Sequence, residues 1–211
     1  MERLQTLLTL YNQKHTDDLV FAPWGKQYCE MPFPLYWQRV FQILQTLDKK
    51  CKIIEIGCGL GDITAILCYL GYKQIVAFEC DTQCAFSSRQ RIAKLFNRTD
   101  IIINHTFPDG KVRSSDILIL VNCVYPIIGN DKQQYKELLM SYYRDAGCPR
   151  YYILEVIDSS YTEKNEELPF YLRLNRSDVE SMFPQSRIHS WNTYVYPLNQ
   201  KSKTLYLIET K

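Results

Sequence analysis

KIIEIGCGLGDITAILCYLG, residues 52–71, decides how the chain is read. A short apolar strand containing Ile53, Ile54 and Ile56 runs into glycines at alternate positions, Gly57, Gly59 and Gly61. A helix is predicted over 62–70, opening at Asp62 and closed by Gly71. Glycines in this order let the backbone turn sharply and approach a ligand where a Cβ would intrude. The pattern predicts a nucleotide-like cofactor site at the mouth of the first strand of an α/β sheet.

Charge and spacing narrow the cofactor. A dinucleotide site wants G-x-G-x-x-G, with the pyrophosphate resting on the positive end of the helix. Here the third glycine comes one residue early, and Asp62 occupies the slot of the dinucleotide glycine. Glu55 lies two residues before the first glycine. Two carboxylates flanking a nest of N–H groups repel a pyrophosphate and attract a ligand carrying positive charge. S-adenosylmethionine, with a sulfonium and an ammonium beside its carboxylate, suits that environment. Residues 74–79 read as the next strand, ending at Glu79. An acid about 20 residues beyond the glycines is placed to accept both ribose hydroxyls.

On these two motifs, Glu55-Ile-Gly-Cys-Gly-Leu-Gly61 and the acid ending the second strand, the chain resembles the class I S-adenosylmethionine-dependent methyltransferases. In element order the resemblance covers roughly 50–211. It implies a doubly wound, mostly parallel seven-stranded α/β sheet with an antiparallel C-terminal strand pair. The cofactor set it implies comprises Glu55, Gly57, Cys58, Gly59, Gly61, Glu79 and Cys80, with Asn122 after the fourth strand. His105 and Thr106 fall where the family contacts adenine, although His105 replaces the usual acid. Phe107 either stacks on adenine or packs beneath its loop. Tyr28 is placed for the methionine carboxylate.

The rest of the chain agrees with one α/β domain carrying an N-terminal extension. Helices are predicted over 2–14 and 35–48, separated by an aromatic, proline-rich loop. Residues 1–50 are therefore expected to form a helical and aromatic lid, and 51–211 the cofactor-binding domain. Beyond the first helix, strands and helices alternate: helix 83–97, strands 100–104 and 116–122, helix 131–146, strand 150–156. A short helix near 177–183 with Ser177 as its N-cap, then strands 187–196 and 203–209, complete the order. Ligands in such sheets bind at the carboxyl ends of the strands. Tyr125 after the fourth strand and Glu155 after the fifth are accordingly the candidate catalytic groups, orienting an acceptor or taking its proton. Trp24, Tyr36 and Asp158 are candidate acceptor contacts, with Phe33 in the same aromatic segment. Each has a bland alternative: a solvated loop carboxylate for Glu155 and Asp158, ordinary packing for the aromatics.

The 25 basic and 23 acidic residues leave a net charge of +2, so charge alone does not hold this chain on nucleic acid. No apolar run reaches membrane-spanning length, and MERLQTLLTLYNQ lacks the features of a signal peptide. The 8 cysteines include no C-x-x-C pair, which argues for reduced thiols, no metal site and a cytoplasmic location. The expected activity is methylation of a small-molecule oxygen or nitrogen. Two alternatives stay open: a non-catalytic binding module that keeps the fold, and an amino-methyltransferase acting on nucleic acid or protein. Asn122-x-x-Tyr125 only faintly matches the motif of the latter, because both intervening prolines are missing.

Overall fold

The computed structural model describes residues 1–15, 34–111, 114–123, 131–162, 164, 168–193 and 203–210. Its helices are α1 (Glu2–Lys14), α2 (Leu35–Thr46), α3 (Asp62–Tyr69), α4 (Thr82–Phe96), α5 (Lys132–Asp145) and α6 (Arg176–Met182). Its strands are β1 (Ile53–Ile56), β2 (Ile75–Glu79), β3 (Ile102–Asn104), β4 (Ile117–Leu120), β5 (Tyr151–Asp158), β6 (Arg173–Leu174), β7 (Arg187–Thr193) and β8 (Lys203–Glu209). The hydrogen-bonded order is β3-β2-β1-β4-β5-β8-β7; the pairs β2–β3, β1–β4 and β4–β5 are parallel, and β8 is antiparallel to both β5 and β7. Those seven strands are the expected ones. The two-residue β6, beside the end of β5, is an eighth that is too short to show as a pattern.

Two compact units make up the chain. The first joins Met1–Cys51 to Gly57–Thr106. In it, α2 buries Tyr36, Trp37, Val40, Phe41, Ile43 and Leu44, the spacing of one broad helical face. Its C-terminal carbonyls are closed by side chains: the Tyr72 hydroxyl donates to Leu44 O at 2.7 Å and Lys49 Nζ to Leu47 O at 2.8 Å. Helix α4 starts on Asp81, whose carboxylate accepts from Cys84 N at 2.7 Å, and ends on a left-handed Asn97.

The second unit joins Lys52–Ile56 to Phe107–Lys211. Strands β1 (IIEI) and β4 (ILIL) are buried at every position, as a parallel sheet covered on both faces requires. Strand β5 runs to Asp158, two residues past the expected end. The reason is β8, which pairs with it from Tyr151↔Glu209 to Ile157↔Lys203. Helix α6 begins earlier than expected, on Asn175 instead of Ser177. Asn175 and Asp178 form a reciprocal capping box, with bonds of 2.9 and 3.0 Å. Asn175→Ala should therefore cost about 1 kcal/mol in a denaturant unfolding experiment, and Ser177→Ala nearly nothing. No helix among the described residues is long and apolar enough to cross a membrane.

Candidate functional site

The glycine turn lies wholly in the first unit. Gly59 and Gly61 hold φ of 54° and 76°, left-handed values that disfavour any side chain. A Cβ on Gly61 would meet Ser88 Cβ at 3.2 Å, so this glycine also lets α3 start against α4. Gly57 N and Cys58 N both donate to Phe78 O, at 2.9 and 3.0 Å, tying the turn to the end of β2. One residue on, Glu79 completes the arrangement. Its Oε2 accepts from Gly59 N at 2.7 Å and its Oε1 from Asp81 N at 2.9 Å. Asn104 Nδ2 donates to the Glu79 carbonyl at 3.0 Å. The carboxylate is thus held against the turn, and each oxygen keeps capacity for a second donor. Cys58 is buried within the turn, and Cys80 is exposed beside Glu79.

Asp62 corrects a sequence-based expectation. Its carboxylate does not flank the turn as an available negative charge, because Arg91 Nη2 lies 2.5 Å away in a buried ion pair. Arg91, three residues beyond Ser88 on α4, went unassigned in the sequence, where nothing local links it to Asp62. Within this unit the carboxylate held against the turn is therefore that of Glu79. Behind the turn, Cys84 packs with Leu60, and burial first, then the Asp81 carboxylate, pushes its thiol up to about 12. It stays protonated at neutral pH.

His105 and Thr106 follow β3 as exposed residues, with His105 Nδ1 2.6 Å from Thr106 O. Phe107 belongs to the second unit and is 3% exposed, its ring tilted against Tyr142 at 6.1 Å. Of the two roles open to it, it takes packing. Tyr36 is likewise in the buried face of α2. Trp24, Tyr28, Phe33 and Tyr125 lie outside the described residues.

In the second unit, a polar cluster sits where β4, β5, β7 and β8 come together. Glu155 is not at a strand end as expected: it is mid-strand in β5 and fully buried. Its Oε1 accepts from Thr193 Oγ1 at 2.6 Å, its Oε2 faces Lys203 Nζ at 4.0 Å, and the Asn122 backbone N–H also donates to it. Lys203 Nζ donates in turn to Asn122 Oδ1. Desolvation raises the pKa of Glu155, an effect that Lys203 opposes; desolvation likewise lowers that of Lys203, which Glu155 opposes. Asn122 has left β4 and sits at φ 54°, followed by Cys123, whose Sγ donates to Ile56 O at 2.9 Å. Lys203 escaped the sequence reading. The available signal was a lysine opening the apolar strand KTLYLI and a glutamate inside the apolar strand YYILEVI. Asp158 closes the turn after β5, accepting from Ser160 N at 2.8 Å and Thr204 Oγ1 at 2.5 Å.

None of the described cysteines forms a disulfide, and among the described residues no group of three or more His, Cys, Asp or Glu side chains is arranged to hold a metal ion. No protein-family model and no curated protein matches the chain. Solved structures do. Magnesium protoporphyrin IX methyltransferase from Synechocystis PCC 6803, with bound SAM, superposes with a TM-score of 0.61 at 12% identity, covering 98% of this chain and 97% of that one. The plantazolicin methyltransferase BpumL, in complex with a monoazolic desmethylPZN analogue and SAH, gives 0.56 at 13% identity, over 100% and 97%. A SAM-dependent methyltransferase from Bacteroides fragilis, in complex with S-adenosyl-L-homocysteine, gives 0.60 at 12% identity, over 89% and 82%. At these identities the likeness is one of architecture, and with the sheet order and the glycine turn it leads to one conclusion: the chain has the fold of the class I S-adenosylmethionine-dependent methyltransferases.

Proposed function

We propose that the chain is an S-adenosylmethionine-dependent methyltransferase acting on a small-molecule oxygen or nitrogen. The observation that carries the reading is the Glu79 carboxylate held by Gly59 N and Asp81 N against a turn of left-handed glycines. A ribose diol needs a fixed acid of this kind, and an adenosine face needs backbone without Cβ atoms. The absence of a third glycine in dinucleotide register disfavours a pyrophosphate. The similar structures support the same cofactor: two hold SAM or S-adenosyl-L-homocysteine, and a third holds SAH beside a desmethylPZN analogue.

When bound, S-adenosylmethionine would supply a methyl group already activated by the sulfonium charge. What the chain contributes is position and exclusion of water. Glu79 holds the ribose, and Cys58 and Cys80 border it. His105 and Thr106 border the base. The N-terminal segment serves as the acceptor-side lid through Trp24 and Tyr28, and Tyr125 orients the acceptor or receives its proton. Reduced thiols in the described chain suit a reducing, cytoplasmic setting.

Calorimetry with S-adenosylhomocysteine tests the reading. The wild-type protein should bind it, with NAD far weaker, and Glu79→Ala should lose about 1–3 kcal/mol, the worth of hydrogen bonds to a charged group. NAD binding as tight as S-adenosylhomocysteine, or a Glu79→Ala protein that binds normally, overturns it.

A further inference from the structure

A cleft of about 770 Å³ lies wholly within the second unit, where β5 and β7 begin and β8 ends. It is at the far end of β5 from Asp158. Three charged residues line it: Arg150, Glu209 and Arg187. Glu209 is the cross-strand partner of Tyr151 on one side and of Arg187 on the other. The Arg150 guanidinium lies over the Tyr151 ring, 5.2 Å from its centroid. Stacking uses the flat face of a guanidinium and leaves its N–H groups to donate in the plane. Neighbouring strands are about 5 Å apart, so the row across β5, β8 and β7 presents cation, anion and cation in steps of about that length. These charges do not neutralise one another. Arg187 and Glu209 stand directly opposite, yet among the described residues neither arginine forms an ion pair. Glu209 Oε1 instead meets His189 Nε2 at 3.7 Å, a pair that is charged only when the histidine is protonated.

We propose that this cleft binds a small ligand with two carboxylates and one ammonium: an acidic amino acid, free or within a short peptide. Arg150 and Arg187 each take a carboxylate, for which the planar fork of a guanidinium is suited. Glu209, between them, takes the ammonium. A plain dianion would face repulsion from Glu209, and a plain cation would face it from both arginines, so the row selects a ligand of alternating charge. The volume falls in the range of small-molecule sites and has room for a tripeptide. Gln185 and Ser186, just before β7, supply the neutral hydrogen-bonding groups that peptide amides need. The site is separate from the glycine turn and independent of any methyl donor.

Calorimetry on the full chain with three probes tests this: L-glutamate, glutarate, which lacks the ammonium, and S-methylglutathione, a tripeptide with the same three charges. L-glutamate or S-methylglutathione should bind, and whichever is tighter tells the free amino acid from the peptide. Glutarate should bind more weakly than L-glutamate. Arg150→Met and Arg187→Met should each weaken the bound probe about 10-fold, the loss of one charge-assisted contact. Glu209→Gln should weaken L-glutamate and strengthen glutarate, so that their order reverses. The place of binding is read from Cys148, which lines the cleft and is exposed. The bound probe should slow its alkylation by N-ethylmaleimide, followed by mass spectrometry, and leave the rate at the exposed Cys80 of the other unit unchanged. The proposal is overturned if neither L-glutamate nor S-methylglutathione binds at millimolar concentration, if glutarate binds as tightly as L-glutamate, or if the arginine variants bind normally.

Discussion

Lys203→Met as a single change should destabilise the protein by about 3–5 kcal/mol, a large share of the 5–15 kcal/mol that holds a typical domain folded. The mutation removes the ammonium facing Glu155 and leaves a carboxylate with 0% exposure in the interior. Glu155→Gln in the same chain should recover most of the loss, because a glutamine can keep the bonds to Thr193 and Asn122 without carrying charge. Urea unfolding of the two single variants and the double measures this directly. Strong non-additivity is expected, and additive losses would mean that the two groups do not compensate one another.

The single variant should also acquire a specific pH dependence. Burial already raises the Glu155 pKa above its ordinary value, and Lys203 is the largest influence opposing that rise. Without Lys203 the folded-state pKa climbs further above that of the unfolded chain. Between those two values the folded form binds more protons than the unfolded one, so stability falls as pH rises. Lys203→Met should therefore be most stable in acid and lose stability from the ordinary carboxylate range upward. The double variant should lack that slope. A single variant whose stability rises with pH across this range would contradict the assignment.

What was legible in the sequence and what was not divides along a physical line. The glycine turn and Glu79 could be read because the chemistry is written in backbone conformation: left-handed glycines and a strand ending in an acid are local features. The strands themselves could be read because apolar runs such as ILIL and YYIL admit few other burials. The ion pairs could not. Asp62 looked like part of the turn's charge because its partner Arg91 is on another helix. Glu155 looked like the end of a strand because a carboxylate in an apolar run usually marks the return to solvent. Only the register of β8, which places Lys203 opposite Ile157, makes a charge tolerable at that depth. Capping at Asn175 was missed for a smaller reason: Ser177 and Asn175 are both good caps, and the choice depends on which one Asp178 can reach back to.

Gly59→Val should abolish binding of S-adenosylhomocysteine while leaving a folded protein. Two effects combine at this position. Gly59 sits at φ 54°, where a side chain costs roughly 1–2 kcal/mol, an amount a domain of this size tolerates. The isopropyl group would then stand on the face of the turn that an adenosine must approach. The same change disturbs Glu79, whose Oε2 depends on Gly59 N at 2.7 Å, so the anchored acid loses its alignment as well. Steric exclusion and a misplaced carboxylate together should weaken binding by more than ~100-fold. Gly61 offers the contrast. A side chain there runs into Ser88 at 3.2 Å on α4, so Gly61→Val should lower the midpoint of thermal unfolding far more than Gly59→Val does. Calorimetry and thermal unfolding on both variants separate the two roles. If Gly59→Val binds as the wild type does, the ligand does not lie over this turn, and the cofactor assignment built on it is wrong.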